Sequence, residues 1–182
     1  MIVSSTPNPF EFSEADTCRE FVTPAIQDAG WGDAPFEIAE QRSFTDGRIV
    51  LAGRSAKRRE GKRADYLLRY RRDLTLAVVE AKPYKMPAGD GLQQAKDYAE
   101  ILGLKFAYAT NGREIIEFDF LTGIESRIDR YPAPDELWRR QTSGTPLANR
   151  DAGKTLLQSL DHSTGKPPRY YQEIAINRTV GA

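Results

Sequence analysis

The sequence predicts an α/β domain: one mixed β-sheet with helices packed against it. Three observations carry that prediction. Residues 64–82, ADYLLRYRRDLTLAVVEAK, hold two strand-like runs about a polar break at Arg72-Asp73, the pattern of a β-hairpin. A helical-period segment and then a short apolar run, KFAYA, follow it, an alternation of strands and helix that fits a mixed-sheet α/β domain. Asn111-Gly112 then joins KFAYA to another strand-like run, a strong hairpin signal. At 182 residues and 40% hydrophobic, the chain suits one such domain with some length to spare.

Taken in order, Ser13-Glu14-Ala15-Asp16 fits a capping box that opens a helix. Ala15, Cys18, Val22, Ala25, Ile26 and Ala29 continue it as an apolar stripe. Pro24 should kink or split that helix, and Gly30-Trp31-Gly32 should end it. Residues 36–41 and 49–52 are weaker strand candidates around a turn at Thr45-Asp46-Gly47, and 53–62 reads as a polar, basic loop. Residues 64–71 and 75–82 form the hairpin strands. The second is almost continuously apolar, as a strand covered on both faces should be, and Pro83 stops it. Leu92, Ala95, Ala99 and Leu102 mark a helix over 92–102. Strands over 105–109 and 113–120, an edge strand over 124–130 and a short helix over 135–140 complete a domain spanning 1–140. Residues 141–168 read as a linker with a short helix at 151–160, and 169–182 as a helix with no core to pack on.

Composition removes several chemistries. One cysteine, Cys18, and one histidine, His162, exclude an internal disulfide, cysteine-rich zinc sites and paired-histidine chemistry. No apolar run approaches the ~20 residues of a membrane span. The N-terminal stretch lacks the basic start and apolar core of a secretory signal, so a cytoplasmic location is expected. Hydrolytic chemistry is thereby pushed toward carboxylates and a hard cation. Formal net charge is zero, yet from Gly53 to Arg72 nine Lys/Arg face only Glu60 and Asp65. Lys57, Arg58, Arg59, Lys62 and Arg63 lie in this run, which suits attraction to phosphate.

The polar exceptions in the hairpin are Asp65, Glu80 and Lys82. A two-residue turn at Arg72-Asp73 sets Leu67 opposite Val78, Tyr66 opposite Val79 and Asp65 opposite Glu80. Opposed Cβ atoms lie roughly 4.5–5.5 Å apart, so one divalent cation could bridge the two carboxylates, and Lys82 shares the face of Glu80 by strand alternation. Burying unpaired charges costs several kcal/mol each, so a merely structural ion pair here is the weaker reading. Asp65, Glu80 and the backbone carbonyl of Ala81 would hold Mg²⁺, which activates water and offsets charge at phosphorus. Lys82 would orient or help deprotonate that water.

With these residues in place, the sequence resembles the PD-(D/E)xK nucleases, and among them the N-terminal nuclease domain of type I restriction enzyme R (motor) subunits. The resemblance rests on Asp65, on Glu80-Ala81-Lys82 closing an apolar strand, and on Gln94-Ala95-Lys96-Asp97-Tyr98 in the next helix. Ala64 replaces the nominal proline before the aspartate. The resemblance covers residues 13–140 and implies a restriction-endonuclease-like fold. It also implies that Gln94 and Tyr98, four apart on one helix face, contact the DNA backbone or the catalytic lysine. Glu14 and Glu20 contend equally for the first-helix acid that some relatives add to the metal site.

Two features of the last forty residues bear on the same reading. Residues 148–155 satisfy a relaxed phosphate-loop pattern, but no strand precedes them and position 148 is Ala, so coincidence is the better account. Arg169-Tyr170-Tyr171-Gln172, followed by Ile174-Ala175-Ile176, resembles the adenine-reading Q motif that precedes the phosphate loop in superfamily 2 helicases. That likeness implies a chain cut at the threshold of a motor, in which Gln172 would contact ATP only in a longer protein.

The expected function is a Mg²⁺-dependent endonuclease acting on double-stranded DNA, with modification and specificity subunits as partners and ATP serving a motor domain. The alternatives are a stand-alone repair or resolvase-type nuclease, or a catalytically silent DNA-binding or assembly module; intact Asp65, Glu80 and Lys82 count against the last.

Overall fold

The computed structural model describes residues 8–44, 49–52, 55–58, 62–148 and 170–180. Its centre is a six-stranded mixed sheet in the order β1-β4-β5-β6-β7-β8. The strands are β1 (Glu37–Phe44), β4 (Lys62–Arg71), β5 (Leu74–Ala81), β6 (Phe106–Thr110), β7 (Ile115–Asp119) and β8 (Ile124–Ile128). Only β5 and β6 pair in parallel; the other neighbours are antiparallel. Helix α3 (Leu92–Leu102) makes the crossover between them, as a parallel connection requires. A separate ribbon pairs β2 (Ile49–Ala52) with β3 (Ser55–Arg58).

The two faces of the sheet carry separate cores because strand side chains alternate. On β5, Ala77, Val79 and Ala81 face one way, joining Val22, Ile26, Trp31 and Leu137. Val78 faces the other way and packs with Ala95, Tyr98, Ala99 and Leu102 of α3. Trp31 is fully buried and donates its indole N–H to the Pro132 carbonyl at 2.9 Å. Helix α4 (Pro134–Thr142) is tied to the sheet where Tyr70 stacks on Trp138 with ring centroids 5.0 Å apart.

The capping box forms: Ser13 Oγ accepts from Asp16 N–H, and Asp16 accepts from Ser13 N–H. The helix then breaks as expected, into α1 (Glu14–Thr17), a π turn (Cys18–Val22) and α2 (Thr23–Asp28), with Pro24 at the new start. The wider π turn resets the helical phase. Ala15 consequently points to solvent, and Thr17 takes the buried position expected of the stripe.

Several boundaries differ from expectation. The supposed loop 53–62 contains strand β3, because a two-stranded ribbon pairs its backbone groups without needing an apolar face. Strand β1 runs on to Phe44, which pairs with Lys62. Helix α4 extends to Thr142, two residues past its expected end, and buries Gln141 and Thr142. Helix α5 (Tyr170–Val180) does have a core to pack on: Ile176 lies against one cluster and Ile174 against the other. The turn at 45–47, the phosphate-loop-like stretch beyond Ala148 and the helix expected at 151–160 lie outside the described residues. Among the described residues no helix is long and apolar enough to cross a membrane.

Candidate active site

Register places the site. Tyr66 pairs with Val79, Leu67 with Val78 and Leu68 with Ala77, and the pair Arg71–Leu74 leaves Arg72-Asp73 as the turn, all as predicted. Shifts at Arg69 are absorbed between these pairs. Asp65 and Glu80 come next but do not form a ladder pair. Instead, the Asp65 carboxylate reaches past Glu80 and accepts from the Ala81 N–H at 2.8 Å. On the other flank, β1 pairs at Glu40 and at Arg42 but not at Gln41 between them, which would face Asp65. Gln41 has φ +46°, the left-handed region that non-glycine residues enter at a cost. Irregular backbone thus surrounds Asp65 on the β1 side, a feature with no sequence signal.

Glu80 is 3% exposed. One of its oxygens, Oε1, accepts from Gln94 Nε2 and lies 3.7 Å from Lys82 Nζ. The other, Oε2, is buried with no hydrogen-bond partner. Lys82 Nζ donates to Gln94 Oε1 at 3.2 Å, and Gln94 Nε2 also donates to the Tyr98 hydroxyl at 3.0 Å. A lysine can only donate and a carboxylate only accept, so these partners fix which way the Gln94 amide points. Of the two contacts expected for Gln94, the one with the lysine is present. Tyr98 is buried at 8% exposure, packs edge-to-face on Phe44 at 5.1 Å, and lies beneath Lys62, 5.6 Å from its ring centroid. It braces Gln94 from the core side.

Gly91, just before α3, was not singled out by sequence reasoning. A Cβ there would sit 3.3–3.5 Å from Lys82 Cε and Cγ and Glu80 Cγ, so glycine lets the helix start close over both side chains. Between the two first-helix acids, the structure separates Glu14 from Glu20. Burial, followed by the Asp65 charge, raises the Glu14 carboxyl above its ordinary range, with Lys82 and Arg63 opposing. Glu20 points to solvent and pairs with Arg19. The basic residues divide as well. Lys62 and Arg63 open β4 beside Asp65, Lys57 and Arg58 lie in the β2–β3 ribbon, and Arg59 lies outside the described residues. Gln172 is exposed on α5, whose Arg178 packs over Gly103 at the C-terminal end of α3, about 16 Å along that helix from its start near Lys82.

The Glu80 carboxyl is pushed up to about 8 from an ordinary 4.5, first by burial and then by the Asp65 charge, with Lys82 opposing. Among the described residues no group of three or more His, Cys, Asp or Glu side chains is gathered to hold a metal ion. The donors brought together are the carboxylates of Asp65 and Glu80. That set fits Mg²⁺, which keeps several waters and takes one or two carboxylates together with substrate phosphate oxygens. The unpartnered Glu80 Oε2 is the atom such a cation would satisfy.

A stability prediction follows from the raised Glu80 carboxyl. The folded state holds a proton that the unfolded chain releases above about 4.5. The stabilisation present below that value is therefore lost as pH rises through about 8. With a chelator present, Glu80→Gln should raise the melting temperature, and by more at pH 8.5 than at pH 5. Thermal denaturation at the two pH values checks this; a constant difference would mean that Glu80 is not held protonated.

No protein-family model matches the chain. It is 36% identical, over 181 residues, to the type I restriction enzyme EcoAI endonuclease subunit of Escherichia coli; the match covers 96% of this chain and 22% of that protein. A solved fragment structure assigned to the HsdR subunit of a type I restriction enzyme from Vibrio vulnificus YJ016 is 53% identical. It superimposes with a TM-score of 0.74 and is matched over 93% of this chain and 32% of its own. The chain thus spans about a fifth to a third of the length of these relatives. Over nearly its whole length the chain is therefore similar, in sequence and in fold, to part of the endonuclease (HsdR) subunits of type I restriction enzymes.

Proposed function

We propose that this chain is the Mg²⁺-dependent nuclease part of a type I restriction R subunit and cleaves phosphodiester bonds of double-stranded DNA. The observation that carries the reading is the convergence of Asp65, Glu80, Lys82 and Gln94 at one end of the β4–β5 hairpin, with one Glu80 oxygen left over for a ligand. Asp65, Glu80 and the Ala81 carbonyl would hold the cation, which on binding supplies an acidified water and a counter-charge for phosphate. Lys82 lies alongside, hydrogen-bonded to Gln94, where its ammonium can orient a water and stabilise charge developing on the phosphate. Gln94 holds that ammonium near Glu80 and is itself braced by Tyr98. Lys62 and Arg63, with the rest of the basic run, would draw the DNA backbone toward the site.

In this reading residues 1–140 form the nuclease domain, 141–168 link, and 169–182 lead into an ATP-driven motor domain of which Gln172 would be an early ATP contact. Helix α5 packs on the nuclease sheet, so the lead-in is seated on the domain it leaves. Modification and specificity subunits would supply target choice, and the complex would act in the cytoplasm.

Isothermal titration with Mg²⁺ or Mn²⁺ tests the reading. The wild-type chain should bind at least about tenfold more tightly than Glu80→Ala, since that variant loses one of only two carboxylate ligands. Equal, weak binding by both would overturn the assignment.

A further inference from the structure

The end of the sheet that carries Lys82 also carries an aromatic and cationic patch that the proposed chemistry leaves unused. Two residues beyond Lys82, the Tyr84 ring meets Phe10 edge-to-face at 5.4 Å and Phe21 at 5.1 Å. Phe12 backs Phe21 at 5.9 Å. The Arg113 guanidinium lies 5.1 Å from the Tyr84 ring and 5.7 Å from that of Phe10. Phe10 is 56% exposed, and Arg113 is exposed beside it. One exposed phenylalanine means little. One that shares an arginine with a second ring, next to the catalytic lysine, is a different object.

The patch is also held rigidly against the site. The Tyr84 N–H donates to Thr17 Oγ1 at 3.0 Å, and the Lys82 N–H donates to the Thr110 carbonyl at 2.8 Å. Buried Asn111 fastens the two segments together: its amide donates to the Met86 carbonyl at 2.7 Å and its oxygen accepts from the Arg113 N–H at 3.0 Å. Gly112 has φ +81°, and a Cβ there would lie 2.9 Å from Phe21 Cβ, so the turn bearing Arg113 sits directly on the aromatic cluster. A cavity of about 380 Å³ opens beside it, lined in part by Phe21, Thr110, Arg113 and Arg127.

This chemistry suits an unstacked base better than a duplex backbone. Glu11 and Glu14 lie on the same N-terminal segment, which disfavours a track of phosphates. Stacking a base on a ring is indifferent to that charge, and a single arginine answers the single phosphate that comes with it. In a paired duplex the base faces are covered by their neighbours, so only an unpaired nucleotide presents one. We propose that Phe10, Tyr84 and Arg113 form a platform for an unpaired nucleotide next to the scissile phosphate. The site then prefers DNA with a single-stranded extension over blunt duplex. The proposal rests on the nuclease reading above.

Fluorescence anisotropy tests it, with Ca²⁺ as the cation and a labelled duplex of about 20 base pairs, either blunt or carrying a ~5-nucleotide single-stranded extension. Wild type should bind the extended DNA at least about fivefold more tightly, as one or two base stacks at ~1–3 kcal/mol each imply. Phe10→Ala and Arg113→Ala should each erase most of that preference while leaving blunt-duplex affinity within about twofold, and Phe10→Trp should keep it. Absence of a preference in wild type, or equal weakening of both DNAs by the variants, overturns the platform. If blunt duplex is bound and the Glu80-dependent cation site is present, the platform falls alone. If wild type binds neither DNA, the nuclease reading falls with it.

Discussion

Lys82→Ala is expected to reduce Mg²⁺-dependent cleavage by about 10²–10⁴-fold, the range associated with a positioned acid–base group, while cation affinity stays the same or tightens. The two effects part company because Lys82 is the positive charge already beside the carboxylates. Its Nζ lies 3.7 Å from Glu80 Oε1 and competes electrostatically with any arriving cation. Removing it leaves Asp65 and Glu80 with less internal compensation, so a divalent ion should bind no worse. Cleavage falls for the separate reason that nothing else within the hydrogen-bonded set can supply a mobile ammonium proton there: Gln94 is a neutral amide, and its Nε2 is committed to Glu80 and Tyr98. Lys82→Arg should rescue poorly, because a guanidinium stays charged and is a broader, planar group. Single-turnover cleavage assays run beside calorimetric titrations, with the partner subunits and ATP of the type I reading, separate the two quantities. Parallel losses of cleavage and cation binding would make Lys82 a structural counter-ion instead.

How much of this site could be read before the structure depends on the geometry behind each residue. Strand alternation fixes which face Asp65, Glu80 and Lys82 share, so the hairpin and its register were legible from residue type alone. The details at its open end were not. Asp65 bonds to the Ala81 N–H instead of pairing squarely with Glu80, and Gln41 faces it with a left-handed backbone; neither follows from any local preference. Four-residue spacing put Gln94 and Tyr98 on one face of α3 but could not say that the amide would bridge Lys82 to Glu80. Glu14 could not be told from Glu20 because the π turn over Cys18–Val22 shifts the phase between them, and helical periodicity assumes no such shift. Helix α5 was misjudged for a related reason. Ile174 and Ile176 are two apart, a weak helical stripe, yet each reaches a different core cluster, and the helix lies against central strand β5. Long-range packing decided that, not local pattern.

The same sheet carries a second acidic cluster whose expected response to mutation has the opposite sign, and Arg140→Ala exposes it. Glu117 and Asp119 on β7 are 5% and 7% exposed. The Arg140 guanidinium forks onto both, donating to Glu117 at 3.1 and 2.7 Å and to Asp119 at 2.7 Å. Buried Tyr108 donates to Glu117 at 2.6 Å, and Arg140 itself lies 4.6 Å from the Phe106 ring centroid. Truncating the arginine strands two adjacent buried carboxylates, for which a loss of roughly 3 kcal/mol is expected. For a chain of this size that is a melting-temperature drop of about 6–12 °C. Arg127→Ala provides the control: Arg127 is 73% exposed and pairs with Glu114 at 2.9 Å, an exposed contact whose loss should change stability by no more than about 1 kcal/mol. Equal melting shifts for the two variants would show that burial of the Arg140 network contributes nothing. The contrast with Glu80 is what gives the comparison meaning. Glu117 and Asp119 find their cation within the fold, so removing it destabilises. Glu80 keeps an oxygen unpartnered and sits 3.7 Å from a lysine that is also engaged by Gln94, so neutralising it should stabilise. An acid completed by its own chain supports the architecture; one left incomplete at the sheet's end is where a ligand from outside can bind.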